Sequence, residues 1–111
     1  MNADVKRLVE LYIAKGEAYE RGSIKAGNKL TDTILSLYAS LEEANRSEEI
    51  IELMRHESPY VRYASAAYSL RFPSFQLEAE RTLEDVAKLN KEVGHNAHSC
   101  LFAWRNGMLK F

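Results

Sequence analysis

Three side chains that could bind a metal or act as a nucleophile lie close together near the end of the chain: His95, His98 and Cys100. His95 and His98 are three residues apart, a spacing that puts two side chains on one face of a helix. Imidazole and thiolate are common ligands of transition metals. No fourth ligand follows at a suitable spacing, and Cys100 occupies an inward position of its predicted helix. We therefore expect no metal and no cofactor, a buried Cys100 and two surface histidines.

The sequence contains none of the common local signatures of an enzyme. It has no Gly-x-Ser-x-Gly motif, no Gly-rich phosphate loop and no His-Glu-x-x-His motif. A pair of Cys100 with His95 or His98 resembles a thiolate–imidazole pair, but an inward cysteine is normally inert. Catalysis by Cys100 and His98 therefore ranks third among the functions considered, after the two protein-binding functions given below.

Charge is unevenly distributed along a chain that is almost neutral overall. Lys and Arg total 15 against 16 Asp and Glu, which argues against a nucleic-acid partner. Between residues 42 and 57, however, six acidic residues face two basic ones. The alternatives are solvated helix faces and a surface that docks a basic partner such as a nuclease cleft. The residues that we assign to partner binding are Glu42, Glu43, Glu49, Glu52 and Glu57, together with Tyr60 and Tyr63.

The two tyrosines belong to this surface because of their helical spacing. Tyr60 and Tyr63 are three residues apart, on the side opposite Val61 and Ala64, so we expect both to be exposed. Tyrosine offers a large contact area at low entropic cost, which suits an interface. The alternative is that they cover the edge of the core.

The elements that position these residues are predicted to be helices. Apolar residues recur at steps of three and four, and no segment alternates with a period of two. Gly22 and Gly27 bracket a predicted connection, and Asn45 is predicted to end the second helix. We expect one all-α domain over residues 1–111, with helices from Val5 to Tyr19, Leu30 to Leu41, Ser47 to Met54, Pro59 to about Phe72, Phe75 to Leu89 and Gly94 to Gly107.

An internal repeat suggests how these helices are arranged. The apolar pattern that contains Ala64 and Ala67 recurs about 36 positions later at Cys100 and Ala103, a period typical of helix-pair solenoids. The segment Ser58-Pro59-Tyr60-Val61-Arg62 resembles the second helix of a HEAT repeat. The chain also resembles a family of short bacterial HEAT-like domains of unknown function, in Asn28, Pro59-x-Val61-Arg62 and Leu101-x-x-Trp104-Arg105-x-Gly107. The resemblance implies an α–α superhelix of about six helices in three antiparallel pairs.

Small all-α proteins of this type also resemble the immunity proteins of contact-dependent growth inhibition systems. That resemblance implies a non-catalytic protein that binds and neutralises a cognate protein toxin domain. The alternative is a HEAT-like scaffold or adaptor domain that binds another bacterial protein. The single cysteine and the absence of an apolar run of ~20 residues favour the cytoplasm and no membrane partner.

Overall fold

The computed structural model describes residues 2–109, and all regular secondary structure in that range is helical. The predicted all-α class is confirmed. The helices are α1 (Ala3–Glu20), α2 (Ile24–Lys29), α3 (Thr31–Glu43), α4 (Ser47–Glu52), α5 (Pro59–Ser69), α6 (Gln76–Ala87) and α7 (Glu92–Arg105), with 3₁₀ turns at Leu53–Arg55 and Pro73–Phe75. Within residues 2–109, no helix is both long and apolar enough to cross a membrane.

Helix α2 was not expected, because Gly22 and Gly27 were predicted to bracket a connection. Gly22 does end α1, with φ at +79°. Gly27, in contrast, is buried inside α2. The ring of Tyr19 occupies the space where a side chain at position 27 would lie. Glycine is therefore required here for close packing between α1 and α2.

Helix α5 lies at the centre of the fold, in contact with α1, α4, α6 and α7. It begins at Pro59 as predicted, although the Ser58 side chain makes no capping hydrogen bond. Val61 is fully buried, as expected. Ser65 is buried too, and its hydroxyl donates to the carbonyl oxygen of Ile50 at 2.5 Å. This bond satisfies the hydroxyl and fixes α5 against α4.

The ends of α1 and α3 are set by asparagines. Asn2 caps α1, and its side-chain oxygen accepts from the backbone N–H of Asp4 at 2.8 Å. Asp4 lies in the first turn of α1, where a negative charge is favourable. Asn45 ends α3 as predicted, with φ at +58°, a conformation that asparagine tolerates better than most residues.

Candidate functional site

A groove of about 810 Å³ lies between α1, α3, α5 and α7. All six tyrosines of the chain line it, although they come from three different helices. They are Tyr12 and Tyr19 on α1, Tyr38 on α3, and Tyr60, Tyr63 and Tyr68 on α5. This concentration of one residue type makes the groove the candidate functional site.

Small side chains on α5 and α7 leave the room for the groove. Ala64 and Ala67 line it from α5, and Cys100 and Ala103 line it from α7. The sequence predicts that Ala64, Ala67 and Cys100 are buried in the core. The structure instead leaves Ala64, Ala67 and Cys100 only half-buried, because the groove separates them from α1. We call Ala64, Ala67 and Ala103 the alanine floor of the groove.

One wall of the groove is a cluster of mutually tilted aromatic rings from three helices. The hydroxyl oxygens of Tyr12 and Tyr38 are 2.5 Å apart, and the ring centres of Tyr38 and Tyr68 are 4.6 Å apart. Tyr68 donates a hydrogen bond of 2.6 Å to Oε2 of Glu42. The Arg71 guanidinium carbon lies 4.6 Å from the centre of the Tyr68 ring, and its Nη1 lies 3.9 Å from the same Glu42 oxygen. These contacts hold the wall in one geometry.

Burial keeps the hydroxyls of Tyr12, Tyr63 and Tyr68 protonated at physiological pH. Burial raises the pKa of Tyr63 to about 12. Burial, together with the hydrogen bond to Glu42, raises the pKa of Tyr68 to about 12. Burial also raises the pKa of Tyr12 well above its ordinary value. At these three positions the groove therefore presents apolar rings with protonated hydroxyls, which can donate and accept hydrogen bonds.

Tyr60 forms the rim of the groove together with Glu20 and Lys91. Its hydroxyl donates to Oε2 of Glu20. Lys91 Nζ lies 3.8 Å from the other Glu20 oxygen and 5.1 Å from the centre of the Tyr60 ring. Gly16 of α1 lies beneath the ring, where no side chain fits. The rim is thus an ion pair and an aromatic ring supported by a glycine.

Lys15 is a half-buried cation in the lining of the groove. Its Nζ donates to Oγ1 of Thr31 at 2.9 Å and lies 5.7 Å from the centre of the Tyr19 ring. Within residues 2–109, no carboxylate oxygen lies within 4.0 Å of this nitrogen. Burial alone lowers the pKa of Lys15. Glu92 also lines the groove but does not offset that effect.

The glutamates that the sequence analysis assigned to partner binding do not share one surface with the tyrosines. Glu42 contacts the groove wall through Tyr68. Glu49 pairs with Arg46 at 2.7 Å. Glu52 lines a separate notch with Glu48, Ile51, Arg55, Phe75 and Glu78. Glu43 and Glu57 are exposed.

Tyr60 and Tyr63 were predicted to be exposed, but the structure does not place them on an exposed face. Both are half-buried and line the groove on the side of α5 that faces α1 and α7. Tyr63 makes no hydrogen bond through its hydroxyl to any of residues 2–109. The expectation failed because Ala64, which was taken as the inward side, points into the same groove.

The histidines and the cysteine lie on different faces of α7. His95 and His98 are exposed, as predicted. Cys100 is half-buried in the groove, rather than fully buried, and burial raises the pKa of its thiol. Across residues 2–109 no group of three or more His, Cys, Asp and Glu side chains is placed to hold a metal ion.

Sequence reasoning missed Lys15, Tyr68 of α5 and the tyrosines of α1 and α3 as site residues. One signal was present: Tyr12 and Tyr19 are seven residues apart and therefore share a helix face. A shared face of this kind indicates a packed core as readily as a groove, so the spacing alone does not identify a site. The groove became recognisable only from the placement of α1 against α5 and α7.

Comparison with known proteins adds no relative to this description. No protein-family model matches the chain, and no curated protein and no solved structure is significantly similar to it.

Proposed function

We propose that this chain is a non-catalytic protein-binding domain and that the tyrosine groove is its binding surface. The observation that carries the proposal is the meeting of all six tyrosines in one concave site of about 810 Å³. Tyrosine dominates many interfaces, because it combines a large rigid ring with a hydroxyl that can form hydrogen bonds.

The chemistry of the lining favours binding over catalysis. Raised pKa values keep Tyr63 and Tyr68 protonated, so neither supplies a base near neutral pH. The raised pKa of Cys100 likewise disfavours the thiolate that a nucleophile requires. A ligand with both apolar groups and many hydrogen-bonding groups matches this lining, and a polypeptide segment has both.

The HEAT-like arrangement of three antiparallel pairs is part of the proposal. It is supported by the packing of consecutive helices, since α4 contacts α5, α5 contacts α6 and α6 contacts α7. Helix α1 also contacts α5 and α7, and these additional contacts enclose the groove.

We propose a protein toxin domain as the partner, neutralised in the cytoplasm, in line with the resemblance to immunity proteins. The groove would hold a segment of that domain, and the acidic residues Glu49 and Glu52 would approach its basic surface from another side. A scaffold or adaptor domain is the second candidate, because a groove of this kind also fits a short segment of another protein.

The test is co-expression with the protein domain encoded immediately upstream of this chain in its source genome. Calorimetry then measures the affinity, and growth of cells that produce the upstream domain measures neutralisation. A one-to-one complex of nanomolar affinity, about 12 kcal/mol, with restored growth supports immunity. Binding without restored growth supports the adaptor function, and the lack of a complex contradicts the immunity proposal.

A further inference from the structure

The cations around the tyrosine groove differ in their partners. Arg71 lies 3.9 Å from a Glu42 oxygen, and Lys91 lies 3.8 Å from a Glu20 oxygen. Among residues 2–109, Lys15 Nζ has one hydrogen-bond partner, the hydroxyl of Thr31 at 2.9 Å, and no ion-pair partner. The groove therefore contains a positive charge that no carboxylate of residues 2–109 neutralises at ion-pair distance.

The Lys15 ammonium can donate more hydrogen bonds than it gives to residues 2–109. It carries three N–H donors, and Thr31 accepts one of them. Burial disfavours the charged form, as the lowered pKa of Lys15 shows. A carboxylate brought in by a ligand would reverse that effect and accept a charge-assisted hydrogen bond. The charge thus favours an anionic ligand over a cationic one.

The surroundings of Lys15 favour an aromatic group close to that anion. The Tyr19 ring centre is 5.7 Å from Lys15 Nζ, and the alanine floor lies in the same groove. Small side chains allow a flat ring to approach the helices, and neighbouring tyrosines can contact it edge to face.

We propose that the groove selects a partner segment in which an Asp or Glu side chain pairs with Lys15 and a neighbouring aromatic side chain lies on the alanine floor. This inference rests on the proposed function, because it names the chemistry of the segment that the groove binds. The charge of the bound segment and the charge of the whole partner then differ: the segment is acidic even where the rest of the partner is basic.

The experiment is selection of random dodecapeptides displayed on phage against the immobilised full chain. Enriched peptides are synthesised, and calorimetry measures their affinity. Their protection of Cys100 from a thiol reagent shows whether they occupy the groove, since Cys100 is the one cysteine of the chain and lines it. The variants are Lys15→Gln and, as a matched control on the same helix, the exposed Lys6→Gln. Circular dichroism verifies that both variants keep their helix content.

We expect enriched peptides to carry Asp or Glu within a few residues of an aromatic residue and to protect Cys100. Lys15→Gln should lower the affinity for these peptides about tenfold, and Lys6→Gln should leave it unchanged. Replacing the peptide Asp or Glu by its amide should cost the same factor in the wild-type chain and nothing further in Lys15→Gln.

Two results contradict the proposal and differ in what they contradict. Peptides that protect Cys100 but bind equally well to Lys15→Gln overturn the role of Lys15 and leave the groove as the binding surface. If no peptide protects Cys100, the groove does not take a polypeptide segment, and the proposed function fails together with this inference.

Discussion

The ring of Tyr60 lies directly against Gly16, so that a methyl group added at position 16 would overlap the ring. This contact between α1 and α5 sets the rim of the tyrosine groove, because Tyr60 also binds Glu20 and lies beside Lys91. A glycine inside a helix costs about 1 kcal/mol relative to alanine. Here the close approach of an aromatic ring explains its presence.

Gly16→Ala should therefore destabilise the wild-type chain but stabilise a chain that lacks the ring. We expect a loss of about 1–2 kcal/mol in the wild-type background, since overpacking displaces Tyr60. In the Tyr60→Ala background the same change should add up to about 1 kcal/mol through helix propensity. Urea unfolding of the four proteins measures both effects. The same sign in both backgrounds would show that Tyr60 does not occupy this space.

Tyr63 and Tyr68 should respond differently to the loss of their hydroxyl groups. Tyr68→Phe removes the 2.6 Å hydrogen bond to Glu42 and should cost about 1 kcal/mol of unfolding free energy. Tyr63→Phe removes a hydroxyl without a hydrogen bond to residues 2–109 and should change stability by less than about 0.5 kcal/mol. Equal losses of unfolding free energy in the two variants would contradict this difference in hydrogen bonding between Tyr63 and Tyr68.

Stability should fall at alkaline pH because of the buried tyrosines. Burial raises the pKa of Tyr63 to about 12, whereas an unfolded tyrosine titrates near 10. Between these values the unfolded chain has released a proton that the folded chain keeps, so the free energy of unfolding decreases as pH rises. Below about pH 10 this contribution is fully present. Through pH 12 it is lost.

Urea unfolding at about pH 9, 10 and 11 measures this decline, and Tyr63→Phe supplies the comparison. The variant should show a shallower decline because one phenol with a raised pKa is missing. Identical declines would show that the Tyr63 phenol titrates at its ordinary pH in the folded chain.

Much of the fold could be predicted from sequence, because helical periodicity is a local property. The start of α5 at Pro59 and the end of α3 at Asn45 were predicted because each residue type restricts or permits particular backbone angles at its own position. Helix α2 was missed because Gly27 is unfavourable in a helix unless a neighbour fills its space. That neighbour is the Tyr19 ring, whose approach is a tertiary contact.

The groove could not be predicted for a related reason. Alanines at helical spacing do not show whether the small side chains contact another helix or line an open groove. The distance between α1 and the α5–α7 pair decides between these cases. That distance is set by tertiary contacts such as the one between the Tyr60 ring and Gly16. The acidic residues were easier to identify, but Glu42 and Glu49 already pair within the chain.

Filling the groove should abolish partner binding while leaving the fold intact. Ala67→Trp places a large ring in the groove, where there is room for it, and should change stability by no more than about 1 kcal/mol. Ala14→Trp is the matched control, since Ala14 is exposed on α1. Thermal unfolding verifies both variants before binding is measured.

The most direct test of the groove as binding surface is calorimetry of the upstream-encoded domain with three proteins: the wild type, Ala67→Trp, and the double variant Glu49→Lys with Glu52→Lys. The structure predicts at least a hundredfold weaker binding for Ala67→Trp, equivalent to about 2.7 kcal/mol. The double variant should weaken binding by less than tenfold, because its two positions lie outside the groove and contribute only attraction to the basic surface of the partner. Unchanged affinity in Ala67→Trp together with a large loss in the double variant would contradict the groove and identify the acidic residues as the binding surface.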